Sequence, residues 1–188
     1  MQMQTAKLTL AVWFAAGALL ALAAVSIPPL ARAEARDLES ARLRILEDRQ
    51  AIEELFVAYG ATLDRRDFPA FGKLFAEDAV YLGGPGEPTR GRGAIQALLE
   101  RTVTTNPAHL PEPAFHLFFN PSISVDGDRA TAHSKGAYLI PDLKNGGAQI
   151  IFFVAYDDAL VREAGHWLFA RREIHSGIPG APRRSAEP

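Results

Sequence analysis

Between residues 114 and 175 four long segments follow one another, each patterned as a β-strand and each closed by turn residues. They cover 114–125, 129–140, 148–162 and 166–175. Asp126-Gly127-Asp128 and Glu163-Ala164-Gly165 are short enough to reverse the chain directly, which pairs their flanking strands antiparallel. The segments upstream read as helices. Over 37–64, Ile45, Ile52, Leu55, Phe56, Tyr59 and Leu63 recur at three- and four-residue steps and form one apolar stripe. Asp67 can cap a second, short helix over 68–75, with Pro69 in its first turn. A short strand at 79–82, a glycine-rich loop at 83–93, a third helix at 93–103 and a proline-punctuated loop at 104–113 complete the chain. Helices first and a run of strands after them indicate an α+β fold, with helices packed on one face of a strongly curved antiparallel sheet.

The N-terminus reads differently. Lys7 precedes a long, uncharged apolar stretch over 8–27, followed by Ala31-Arg32-Ala33-Glu34-Ala35. Small residues at alternate positions suit signal peptidase, so 1–33 is expected to be a secretory signal peptide, cut after Ala33 or Ala35. The protein would then be exported, periplasmic or secreted, with no stable membrane association after cleavage. The alternative is an uncleaved N-terminal membrane anchor, since a run this long can span a bilayer. The folded domain is expected over 37–175 and a mobile tail over 176–188. Hydrophobic residues make up 48% of the 188 and charged residues 22%, which is ordinary globular usage. The net charge of −2 comes without a basic stripe, so no nucleic-acid partner is expected. With no cysteine, disulfides, thiolate metal sites and cysteine nucleophiles are excluded.

Polar residues within the strands point to a site. Residues 114–121 read Ala-Phe-His-Leu-Phe-Phe-Asn-Pro, and alternation puts Ala114, His116, Phe118 and Asn120 on one face. An imidazole and an amide among phenylalanines suggest the wall of a small-molecule pocket. For Asn120 the alternative is a bulge, because Pro121 cannot donate to a ladder. In the next strand Ala130, Ala132, Ser134 and Gly136 share one face, while Arg129, Thr131, His133 and Lys135 share the other. The basic set is expected outside, making Ser134 and Tyr138 the pocket candidates. Trp167, Phe169 and Arg171 share a face of the last strand, with Trp167 as core or pocket floor and Arg171 in an ion pair or on a substrate anion. His109 sits in a loop that could act as a lid. His109, His116 and His133 lie seven and seventeen residues apart, which matches no compact ligand motif, so neither metal nor cofactor is expected. No Gly-x-Ser-x-Gly elbow is present.

Several phrases together resemble the SnoaL-like branch of the NTF2-like superfamily. They are Tyr59 with Leu63-Asp64-Arg65-Arg66-Asp67, Phe75-Ala76-Glu77-Asp78-Ala79-Val80-Tyr81, Gly91-Arg92-Gly93-Ala94-Ile95, His116 with Asn120-Pro121, Val125-Asp126-Gly127-Asp128-Arg129-Ala130 and Trp167-Leu168-Phe169-Ala170-Arg171-Arg172. The resemblance implies an NTF2-like cone, a curved antiparallel sheet wrapped around three N-terminal helices and open at one end to a cavity. It covers polyketide cyclases, scytalone dehydratase, ketosteroid isomerase-like enzymes and dioxygenase small subunits, with many members of no known activity. It further implies that Asp64, at the end of the long helix, pairs with His116 as a general acid/base. Tyr59 and Tyr81 would hold a substrate oxygen or a water, or else pack the core. The leading expectation is cofactor-free dehydration, isomerisation or cyclisation of a small hydrophobic molecule, cyclic or polyketide-like. The alternative is a non-catalytic binding or dimerisation module, with a homodimer formed through the sheet.

Overall fold

The computed structural model describes residues 29–83 and 86–177. The expected signal peptide therefore lies, over 1–28, outside the described residues, as does the expected tail beyond Gly177. Residues through Ser40 form one unit, whose described part is helical, and Ala41 onward forms a second that holds the sheet and the site. None of the described helices is long and apolar enough to cross a membrane.

Helix α1 spans Pro29–Asp64. Ile52, Leu55, Phe56, Tyr59 and Leu63 are buried along one stripe, as their spacing predicts, whereas Ile45 stays exposed. The buried residue one turn before Ile52 is instead Asp48, which accepts hydrogen bonds from Arg162 Nη1 at 2.5 Å and Trp167 Nε1 at 3.0 Å. A carboxylate can be buried there because both partners satisfy it. Helix α2, Phe68–Gly72, is capped by Asp67, whose Oδ1 accepts from the Ala70 N–H. It stops earlier than expected, and Phe75 already opens strand β1, Phe75–Leu82. Strand β2, Thr89–Arg90, adds an edge within the loop, and α3 covers Arg92–Thr105. Strands β3 (Phe115–Asp126), β4 (Arg129–Pro141), β5 (Ala148–Glu163) and β6 (His166–Ser176) follow close to their expected bounds.

The six strands form one unclosed sheet in the order β2-β1-β6-β5-β4-β3. All pairings are antiparallel except β1 with β6, which run parallel. Three register shifts interrupt the β3–β4, β4–β5 and β5–β6 ladders. Each sets an extra residue against the partner strand and bends it, and together they curve the sheet around its apolar face. Phe71, Phe75, Ala79, Ile95, Ala132 and Phe169 are fully buried in the core between this face and the helices.

Alternation holds in β4: Ala130, Ala132 and Ser134 are buried while Arg129, Thr131, His133 and Lys135 are exposed. It fails in β6. Leu160 faces Phe169 and Ala159 faces Arg171, so Ala170 is the extra residue of a bulge. Beyond it the faces exchange. Arg171 turns out to solvent and pairs with Glu173, and Arg172 goes in, with no exposed surface at all.

Candidate active site

A hollow of about 450 Å³ opens between the helices and the concave face of the sheet. Tyr59 and Leu63 of α1, Tyr81 of β1, Leu99 and Val103 of α3 form its inner side. His116, Tyr138, Phe152 and Tyr156 line it from the sheet, and the loop 106–112 completes its rim. Pockets of this size accept drug-sized molecules.

His116 lines this wall, and Asp64 meets it from behind. The imidazole Nδ1 lies 2.6 Å from Asp64 Oδ1, and the backbone N–H of His116 donates to the same carboxylate at 3.1 and 3.2 Å. The last residue of α1 is thus fastened to β3 through both backbone and side chain. An ionised carboxylate only accepts, so Nδ1 is the donor of this contact and Nε2 is the ring nitrogen left over for a guest. Both side chains are about one-fifth exposed, at 20% and 19%. Gly60 permits the close approach: a Cβ there would sit 2.9 Å from the His116 Cβ and 3.3 Å from the Phe118 ring. Tyr138 covers the imidazole at a ring distance of 4.7 Å, and Tyr59 meets it edge-on at 6.4 Å.

The other side of the hollow carries hydroxyls. Tyr59 and Tyr81 are hydrogen-bonded oxygen to oxygen at 3.2 Å. Burial pushes both hydroxyls up from their ordinary range, Tyr81 to about 12, and pushes Tyr156 and the half-buried Tyr138 up as well. At neutral pH all four are neutral donors. Beneath Tyr59 and Tyr156 lies Arg172, held by a two-point pair in which Nε and Nη2 donate to Asp158 at 2.9 Å each. Burial works against its charge, but Asp158 outweighs it and keeps the guanidinium protonated. The group lies 4.2 Å from the Tyr59 ring, 4.4 Å from Tyr156 and 4.0 Å from Phe169.

Of the residues picked out by sequence, His116, Tyr59, Tyr81 and Tyr138 line the hollow, and Asp64 stands behind His116 without lining it. Asn120, Ser134 and Trp167 are not among those lining the hollow. Asn120 is exposed, with φ at 54°, where Asn120-Pro121 faces Ser134 as a two-against-one bulge. Ser134 is buried opposite that bulge, its hydroxyl without a hydrogen-bond partner among the described residues. Trp167 is tied to Asp48 beneath Arg162, whose guanidinium lies 4.9 Å from its ring. His109 is not part of the lining, although its neighbours Ala108 and Leu110 are. Arg66 reaches over to pair with Glu112 of the same loop. Tyr156, Arg172 and Asp158 escaped the sequence reading. Tyr156, Asp158 and Leu160 do share a face by alternation, and a carboxylate on that face was the available signal. Among the described residues no three His, Asp or Glu side chains gather as a metal would need.

Comparison with known proteins fits this geometry. The profile of the SnoaL-like domain family matches residues 44–173. An uncharacterised protein of Mycobacterium tuberculosis is 31% identical over 134 residues, covering 68% of this chain and 84% of that protein. Among solved structures, an NTF2-like protein with a cystatin-like fold from Novosphingobium aromaticivorans is 29% identical, with a TM-score of 0.63, over 76% of this chain and 89% of that one. A candidate scytalone dehydratase from the same organism is 26% identical, with a TM-score of 0.60, over 76% and 93% of the two chains. ActVI-ORFA from Streptomyces coelicolor, 22% identical with a TM-score of 0.60 over 70% and 96%, shares the fold.

Proposed function

This chain belongs to the SnoaL-like domain family, and from that premise we propose that it is a cofactor-free acid/base enzyme acting on a small, largely apolar carbonyl compound. The observation that carries the reading is the 2.6 Å contact between Asp64 and His116, whose ring lines the hollow. His116 Nε2 takes a proton from a carbon next to the carbonyl, and Asp64 holds the ring and stabilises the imidazolium. The electron pair moves onto the carbonyl oxygen as an enolate, which Tyr59 and Tyr81 can receive by hydrogen bonding. In dehydration the enolate expels a β-hydroxyl, and the proton held by His116 leaves with it as water. In isomerisation the same proton returns at another carbon. Similarity to the candidate scytalone dehydratase supports the dehydration branch. Export and a homodimer through the outer sheet face belong to the same proposal. Phe115 and Leu117, half exposed on that face, support the second.

The test is incubation with cyclic β-hydroxyketones, following the absorbance of the conjugated enone, together with deuterium exchange at the α-carbon. Turnover or exchange that disappears in His116→Gln and Asp64→Asn is the expected outcome. A guest that binds the native protein while neither exchange nor enone forms in any such ketone would favour the binding module. The intact mass of protein recovered from the periplasm, and its size in solution, test export and dimerisation.

A further inference from the structure

Arg172 is a full positive charge inside an aromatic core, with one hydrogen-bonding group left over. Nε and Nη2 bind Asp158, while Nη1 finds no acceptor among the described residues. The group is completely buried, and five aromatic rings lie within 5.5 Å of its centre. Burying an ion pair costs free energy that apolar residues of similar volume would not, so the pair is poorly explained as a stabiliser. Its orientation is informative. Asp158 lies on β5 and Arg172 on β6, and the pair presents its cationic end to Tyr59 and Tyr156.

From this arrangement we propose that Arg172 is a positioning residue that makes the Tyr59–Tyr81–Tyr156 corner selective for a guest oxygen carrying negative charge, an enolate or a phenolate. The proposal rests on the reading of the hollow as a small-molecule site and adds the charge state of the oxygen it prefers. Tyr59 and Tyr81 have two hydroxyl hydrogens between them, and their mutual bond uses one. The second is free to donate to a guest. Arg172 acts through these rings from behind and need not touch the guest. Burial is what chiefly raises the three hydroxyls, but Arg172 pulls each of them down more strongly than Asp158 pushes it up. Of the two buried charges the cation therefore dominates at all three oxygens, and it favours an anion there against the cost of burial. The remaining ionisable groups facing this corner are His116 with Asp64 behind it, Tyr138, and Glu112 on the rim.

The full chain is tested with 7-hydroxycoumarin, whose absorbance distinguishes phenol from phenolate, and with its neutral ether 7-methoxycoumarin. In the native protein the phenolate should bind about tenfold tighter than the phenol, seen as ionisation of the bound dye about one pH unit below the free dye. Asp158→Asn removes the opposing carboxylate and should widen the preference. Arg172→Met with Asp158→Leu replaces the pair by apolar groups and should abolish it, while His116, Asp64 and Glu112 stay common to all forms. A bound dye that ionises no more readily than the free one overturns the proposal, as does an unchanged preference in the double variant. Should the double variant fail to fold, a preference in Asp158→Asn no larger than the native one overturns it equally. Binding of the ether without any phenolate preference removes this inference and leaves the hollow's reading intact. Binding of neither dye removes both.

Discussion

Two histidine–aspartate pairs stand on opposite faces of the same sheet. Each is made through the imidazole Nδ1; the outer one joins the neighbouring strands β4 and β5, and the inner one joins α1 to β3. His133 and Asp157 are on the outer face, with side chains 69% and 48% exposed. There Asp157 is shared with His175 Nε2 at 2.9 Å, and His175 also approaches Glu173, which pairs with Arg171. His116 and Asp64 are on the concave side, and among the described residues that carboxylate serves one histidine, through ring and backbone. The outer pair is one link in a wet chain of charges, where water screens each contact and no space is enclosed. The inner pair has its Nδ1 committed to one carboxylate, an aromatic cover and an adjoining hollow. Proton transfer needs a base that can reach a guest in a defined geometry, and only the inner pair provides it.

The sharpest way to break this contrast is by substitution in both pairs. His116→Gln or Asp64→Asn should lower turnover by about 10²–10⁴-fold, whereas His133→Gln should leave it unchanged, as measured on any ketone the native protein converts. Equal losses from the two faces would end the distinction. Next in size is Gly60→Ala. Its methyl group would press on His116 from 2.9 Å and force β3 away from α1, costing about 1–3 kcal/mol in denaturant unfolding and loosening the Asp64 contact. A variant as stable and active as the native chain would show that the close approach is not needed.

Alkaline titration sharpens the contrast further. Tyr81 is raised to about 12 in the folded state by burial, and Tyr59 and Tyr156 are raised in the same direction. In the unfolded chain tyrosines ionise near pH 10. Below that pH both states hold the protons and the contribution is fully present. Above it the unfolded state loses them first, so stability should fall from about pH 10 to about pH 12. Unfolding free energies across this window check it, and Tyr81→Phe should flatten the fall. The smallest effect is expected outside: Asp157→Asn should change stability by less than about 1 kcal/mol, and less still in high salt.

Much of this was legible in the chain. The α1 stripe, the Asp67 cap and the two tight turns follow from local rules, and the strand bounds fall within a few residues of expectation. Asp64 and His116 came from the family resemblance joined to strand alternation, which held because no bulge lies between Phe115 and Phe119. Alternation failed beyond the bulges. At Asn120-Pro121 the proline broke the ladder and carried Asn120 away from the hollow. At Ala170 nothing in the residue type marks the extra position, so Arg171 read as the inner arginine when Arg172 is. Ile45 read as part of the apolar stripe yet stays exposed while Asp48 is buried, because periodicity cannot register that Arg162 and Trp167 arrive from far along the chain to satisfy a carboxylate. The parallel pairing of β1 with β6 is likewise invisible to local pattern, since the two strands are separated by most of the domain.

At the Ala170 bulge two adjacent arginines, chemically alike, are sent to opposite environments by the phase of one strand. Drawing Ala170 into the regular ladder would set Arg171 in place of Arg172 opposite Asp158 and so swap which cation underlies the cavity without altering a single side chain. The position of one irregularity, rather than the identity of either arginine, decides which of them the cavity feels.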